Sequence, residues 1–284
     1  MKKRNLLLQI YDYRQMVFGL AKRELRGRYK GSVLGFLWTF LNPLLQLLVY
    51  TLLFGVLLKS SINDFYLYLF VGLIPWLFIQ NALQNGSTAI LNQKSLVTKI
   101  RFPREVLPIA HVTTGFVNML YCFVVIFLTV GTSLLIRSWG TGQIISPDSE
   151  VGLYNFLPWI VLPLVMIIQY IFALGLCFLS SSITVYIRDL EHILGVFTML
   201  WCYCTPIMYD ARLILGPEGY AKYGWVFEYL NPMTGIVRAY QDILYRGTWP
   251  DFKLLLVSFG YAILFLVVGF LVFEKLKRRF AEEI

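Results

Sequence analysis

Long apolar runs, broken by short basic stretches, give this chain its pattern. A helix needs about 20 apolar residues to cross the hydrocarbon core, and six segments meet or approach that length: 33–58, 65–90, 108–136, 156–185, 193–209 and 252–274. The pattern predicts an all-α polytopic membrane protein with six transmembrane helices. The fifth segment is short, and the third and fourth are long enough to tilt or protrude. Residues 210–251 are aromatic and moderately apolar, but they carry charges from Asp210 and Arg212 through to Arg238, Asp242 and Arg246. Pieces that short and charged suit re-entrant or interfacial helices, tolerated where protein or water covers the backbone. Ahead of the first span, Leu7, Ile10, Tyr11, Phe18, Ala21 and Leu25 share one helical face, with Asp12, Arg23, Arg26 and Lys30 opposite. A basic amphipathic helix of this kind lies in the membrane interface. The chain thus divides into an interface segment (1–32), a transmembrane domain (33–277) and a short tail (278–284).

Charge orients the helices. Eighteen Lys and Arg fall in the N-terminal segment, the loops after spans two and four, and the C-terminal tail, against seven on the other side. Basic loops mark the cytoplasmic face, so both termini are expected there. Composition agrees: 58% of the residues are hydrophobic and 14% charged, too little charge to cover a soluble fold of this length. The net charge of +9 forms no single stripe, which argues against nucleic acid and for anionic headgroups or an anionic substrate. The basic start, Met1-Lys2-Lys3-Arg4, is followed by Leu6-Leu7-Leu8, but Gln9, Asp12 and Arg14 interrupt the apolar stretch at once. A cleaved signal is therefore not expected.

No catalytic constellation stands out. The chain has no G-x-x-x-x-G-K-[ST] phosphate loop, so if ATP drives it, another polypeptide binds the ATP and magnesium. Cys122, Cys177, Cys202 and Cys204 all sit in apolar segments and match no zinc spacing; they read as small apolar fillers. His111 and His192 read as packed or interfacial histidines, and no metal site or cofactor is expected in the chain. The loop over 92–108 mixes basic and apolar residues at helical spacing and ends in two prolines. It suits a helix seated in a groove of a soluble partner, with Leu96, Ile100 and Phe102 as anchors, or a plain basic loop under lipid. Arg188-Asp189 after span four suits a local ion pair or a second docking element.

A resemblance narrows these choices. Arg28-Tyr29-Lys30-Gly31-Ser32, Leu34-Gly35, Trp38 and Asn42-Pro43 resemble the lead-in to span one of ABC-2-type permeases that export polysaccharides and polyol phosphates. The similarity continues through Gly72-Leu73-Ile74-Pro75-Trp76, Asn92 and Phe102-Pro103-Arg104-Glu105 with Pro108. It reappears at Arg188-Asp189-Leu190, Thr205-Pro206-Ile207-Met208-Tyr209, and Asn231-Pro232 leading to Arg238. The resemblance implies a homodimer of six-helix subunits in a bacterial plasma membrane, joined to two copies of a separate ATPase. It makes Lys99, Arg101, Phe102, Pro103, Arg104, Glu105, Arg188 and Asp189 candidates for coupling to that ATPase. It makes Asn231, Pro232 and Arg238 part of an outer gate built from the re-entrant helices. The implied cargo is a polymer on undecaprenyl diphosphate, with wall teichoic acid ahead of O-antigen and capsule.

Such a cargo calls for a surface that replaces water without gripping any one unit. Aromatic faces do this, and Trp38, Tyr50, Trp76, Tyr170, Trp201 and Tyr203 lie within or at the ends of spans. An ordinary interfacial belt would place them similarly. A diphosphate head calls for cations at the cytoplasmic entrance, where Arg28, Lys30 and Arg104 are available. Two alternatives stay open: a membrane enzyme acting on polyprenyl-linked sugars, and an ABC-2 permease for drugs or lipids.

Overall fold

The computed structural model describes residues 12–27, 31–100, 102–139, 143–148 and 151–283. Among them, five helices are long and apolar enough to cross a membrane: Gly35–Leu57, Phe65–Thr88, Val106–Ser138, Leu157–Thr184 and Phe252–Arg279. The predicted fifth span is a shorter apolar helix, Leu190–Cys204. Its 15 residues rise about 22 Å, less than the roughly 30 Å hydrocarbon core. It begins before and ends ahead of the expected 193–209, because the chain turns extended at Thr205 before Pro206.

The chain enters through α1 (Arg14–Gly27), which packs on the start of α5 (Val106–Ser138). Val17 and Ala21 are its buried residues, and Val17 joins Val106 and Ala110 in a small cluster with Leu20 and Phe102. The expected apolar face is thereby shifted. Phe18 is 65% exposed, because Val17, Ala21 and Glu24 form the stripe that meets α5, and Glu24 pairs with His111 Nδ1 at 2.9 Å. The expected face residues Leu7, Ile10 and Tyr11 lie outside the described residues.

Span one contains α2 (Trp38–Tyr50), which widens into a π-helical stretch over Thr51–Leu57. It leans on the bundle by one edge: Thr39 is the one buried residue of α2, and the π-helical stretch has none. α3 (Phe65–Leu83) is the opposite, with 15 of its 19 residues buried. A helix apolar all round belongs in the core. Its polar demands are met internally, with Tyr240 donating to Gln169 and Gln169 donating to the Pro75 carbonyl, each at 2.8 Å. Span two then breaks into short turns that lead to α4 (Lys94–Lys99). α5 has 33 residues, about 50 Å at 1.5 Å per residue, longer than the roughly 30 Å hydrocarbon core. At its end Arg137 grips Asp64, which precedes α3, through two bonds of 2.6 and 3.0 Å.

α6 (Leu162–Thr184) and α10 (Phe252–Leu276) approach most closely, at Gly175 and Gly269. A Cβ on Gly269 would lie 2.2 Å from the Gly175 carbonyl oxygen, so only glycine lets these backbones meet, as small residues do in membrane helix packing. After α7 (Leu190–Cys204) come α8 (Ala211–Trp225), bent at Gly216-Pro217, and α9 (Pro232–Tyr240). α9 continues as a π-helical turn over Gln241–Arg246 and lies in the core, with Met233, Ile236, Val237 and Tyr240 fully buried. Lys277–Arg279 and α11 (Phe280–Glu283) close the described chain. α1 and α11 lie at the same end of the bundle, the proximal end, where Leu20, Val97, Leu107, Val185, Phe273 and Phe280 share one cluster.

Candidate functional site

At the proximal end the two loops singled out in the sequence meet the end of the chain. In α4 the buried residue is Val97, while Lys99 and Ile100 are exposed. Phe102 is half-buried and packs against this chain's own clusters, between α1 and α5. Arg104 donates to the Lys277 carbonyl, and its guanidinium lies 5.8 Å over the Phe280 ring. Glu105 is 1% exposed and pairs with Lys277 Nζ at 2.5 Å, and Lys277 also pairs with Glu274. Burial pushes the Glu105 carboxyl up, but hydrogen bonds shared with Glu274 and Lys277 outweigh it and hold the group below its usual range. Pro103 is half-buried beside them, and Arg188 and Asp189 lie exposed at the turn into α7. Tyr186 Oη donates to the Leu276 carbonyl at 2.9 Å, so the 184–190 loop is tied to the same helix end. Arg101 lies outside the described residues.

Beside this joint is a cavity of about 700 Å³ lined by Glu24, Asn42, Asn85, Asn92, His111 and Glu191, among others. Arg104 is not among its lining residues; the contacts with Lys277 and Phe280 hold it elsewhere. Arg28 and Lys30, the other entrance candidates, lie outside the described residues. Arg23 reaches the cavity wall instead, donating to Gln93 Oε1 at 2.6 Å.

Farther along the bundle the aromatics divide. Tyr50, Trp76 and Tyr203 line one cavity of about 230 Å³ with Gln46 and Gln80. Trp201 stands edge-on to Trp76, with ring centroids 5.5 Å apart. Trp38 lines a different cavity, of about 160 Å³, with Asn42, Asn81 and Asn118. Tyr170 lines none of these; it packs between α5 and α6, against Phe116 and hydrogen-bonded to Thr113 at 2.9 Å.

The model of the ABC-2 type transporter family matches residues 15–245. The chain belongs to the ABC-2 type transporter family. It is 35% identical to the O-antigen export system permease protein RfbA of Myxococcus xanthus, over 98% of this chain and 99% of that one. An O-antigen export system permease protein RfbA of Klebsiella pneumoniae is 30% identical over 93% of this chain and 92% of its own length. The polysialic acid transport protein KpsM of Escherichia coli is 24% identical over 89% of this chain and 88% of its own.

At the distal end of this ABC-2 transporter, Asn231 caps α9, accepting from Met233 N at 3.0 Å, and donates to Thr205 Oγ1 at 2.9 Å. Arg238 pairs with Glu228 at 2.6 Å. Pro232 is the first residue of α9, where a missing N–H costs nothing. The centre of this region is a cluster of charges drawn from separate parts of the chain. Arg246 pairs with Asp148 and Asp242 at 2.9 Å each and stands 3.9 Å from Asp210. Burial pushes the Asp242 carboxyl up against the pull of Arg246. The signal was present in the cluster of charges within 210–251, but Asp148 comes from the loop before span four and no spacing announces it.

Proposed function

We propose that this chain is the membrane-spanning subunit of an ATP-driven exporter that carries a lipid-linked polysaccharide out of a bacterial cell. It works as a homodimer with two copies of a separate ATPase, which binds the ATP and magnesium. Both termini, and hence the proximal end, face the cytoplasm, and α8 and α9 dip in from the outside as a gate. The carrier is undecaprenyl diphosphate, as the motif resemblance implies. Relatives named for O-antigen export and polysialic acid transport support a polysaccharide cargo, in place of the teichoic acid that the motifs put first.

One observation carries the docking role. The 92–108 loop, the 184–190 loop and the C-terminal helix share a single packed cluster, next to the large polar cavity. A push on exposed Lys99, Ile100, Arg188 or Asp189 is passed to α5, α6 and α10 together, because packed helices shift as units. The exposed face of span one supports the homodimer. Asn42 and Gln46 stand on it, and amides left against lipid are costly; a second copy and a wet pathway between the two relieve that cost.

The test is twofold. Deleting the gene should trap polymer inside the cell, and the affinity-tagged chain should co-purify an ATPase while showing no hydrolysis once that partner is stripped away. Cysteines at Glu218 and Lys99, in a background lacking the native four, report sidedness. Glu218 should react with an impermeant reagent in intact cells, and Lys99 should not. Labelling in the opposite order sinks the orientation.

A further inference from the structure

Three of the cavities form a series along span one. Asn42 lines both the 700 Å³ and the 160 Å³ cavities, and Leu77 lines both the 160 Å³ and the 230 Å³ cavities. Span one sends Asn42, Gln46 and Tyr50 into this series, spaced four residues apart and therefore on one helical face. Span two supplies Asn81 and Gln80 opposite, and span three supplies Asn118, whose Oδ1 is buried without a hydrogen bond. From Asn42 to Tyr50 the face rises about 12 Å.

Charge is missing from this stretch. No Asp, Glu, Lys or Arg occurs between Gly31 and Leu58, or between Phe65 and Gln93. The charged groups near the series stand at its proximal end, with Glu24 and Glu191 in the large cavity and Arg23 bonded to Gln93 at its wall, while Arg238, Arg246 and their carboxylates form the distal charge cluster. A carboxamide both donates and accepts, so it meets a sugar hydroxyl in either sense, and each bond is worth little net. A row of such groups holds a polyhydroxylated chain wet without fixing it at any one unit. Along the two cavities from Asn42 to Tyr50 a polymer with a phosphate on every unit meets no cation among the described residues, and an unpaired charge is expensive inside a membrane.

We propose that Asn42, Gln46, Gln80 and Asn81, leading to Tyr50 and Trp76, form a binding track for an uncharged, hydroxyl-rich glycan segment, and that the track selects against polyol phosphates. This rests on the permease reading and deepens it, by naming the class of polymer and the groups that touch it.

The full-length chain in lipid nanodiscs is titrated with two soluble probes of matched length, maltoheptaose and a seven-unit oligo(glycerol phosphate). The wild type should bind maltoheptaose saturably and the phosphate probe more weakly. Gln46→Leu and Gln80→Leu should each raise the maltoheptaose Kd by about three- to tenfold, the size of one lost neutral hydrogen bond. Gln46→Asn should keep most of the affinity, which separates lost chemistry from lost packing. Gln46→Lys should shift the preference toward the phosphate probe. Equal or tighter binding of the phosphate probe by the wild type, no binding of either probe, or unchanged affinity in both Leu variants overturns the track. The permease reading fails by a different sign: a wild-type chain that co-purifies no ATPase.

Discussion

The indole Nε1 of Trp201 donates to Asn231 Oδ1 at 2.9 Å, which joins the aromatic end of α7 to the cap of the buried helix α9. The same Asn231 amide donates to Thr205 Oγ1 and to the Cys204 carbonyl, so one side chain ties the end of α7 to the start of α9. Removing it takes away an N-cap, worth about 1 kcal/mol, together with bonds to the half-buried Trp201 indole and the buried Thr205 hydroxyl. Asn231→Ala should destabilise the solubilised protein by about 2 kcal/mol. Asn231→Asp should recover the cap but not the amide donations, and its thermal midpoint should fall between the two. A midpoint for Asn231→Ala equal to wild type would show that the join carries no stability.

Arg246 is the hub of the distal charges. It is partly buried and faces Asp148, Asp242 and Asp210. Deleting one partner of a buried pair leaves charge uncompensated and costs about 3–5 kcal/mol; the residual exposure of Arg246 places the expected loss at the lower end of that range. Arg246→Ala should therefore unfold at markedly lower denaturant concentration. Adding Asp242→Asn to it should recover part of the loss, because the carboxylate that stood stranded is gone. If the double variant is less stable than Arg246→Ala by the full cost of a second single change, the pair is not coupled.

The membrane architecture was legible because apolar run length is a direct physical demand, and α3, α5, α6 and α10 fall where their runs predict. α7 was misplaced at both ends, since hydropathy continues through Ile207 and Met208 although the backbone turns extended at Thr205. On α1, Ala21 of the expected apolar face packs on α5 with Val17 and Glu24, the last through His111, while Phe18 of that face stays exposed. Glu105 reads as a loop carboxylate; its partner Lys277 lies 172 residues away, and such pairings leave no local pattern. Tyr50, Trp76 and Tyr203 line one cavity, with Trp201 edge-on to Trp76, whereas Tyr170 packs against Phe116 of α5; composition alone does not separate the two settings.

The Glu105–Lys277 pair fastens the start of α5 to the end of α10. Lys277→Glu puts three carboxylates together at a buried joint and should abolish ATPase co-purification. Glu105→Lys with Lys277→Glu restores one pair in reversed polarity and should regain a measurable part of both co-purification and export. A double variant as poor as Lys277→Glu alone would mean that the pair does not act as a unit.

The proposed docking loop carries an exposed apolar residue, Ile100, and a half-buried one, Phe102. Among the described residues Ile100, at the end of α4, is 52% exposed. Phe102, two residues on, packs against Leu20, Val106 and their neighbours, so its ring supports the loop from within. If the loop sits in a groove of the ATPase, Ile100 is the group that enters it and Phe102 is the group that shapes it. An apolar anchor that fills a partner's pocket costs about 2 kcal/mol or more when truncated, whereas an exposed charge at the rim costs under about 1 kcal/mol. Ile100→Ala should thus weaken ATPase co-purification with the thermal midpoint unchanged. Phe102→Ala should weaken it and lower the midpoint as well, since a half-buried core contact is lost. Lys99→Ala should change neither. A basic loop resting under lipid predicts another ranking, with Lys99→Ala the harmful change and Ile100→Ala silent, and co-purification of the ATPase with the three variants distinguishes the two.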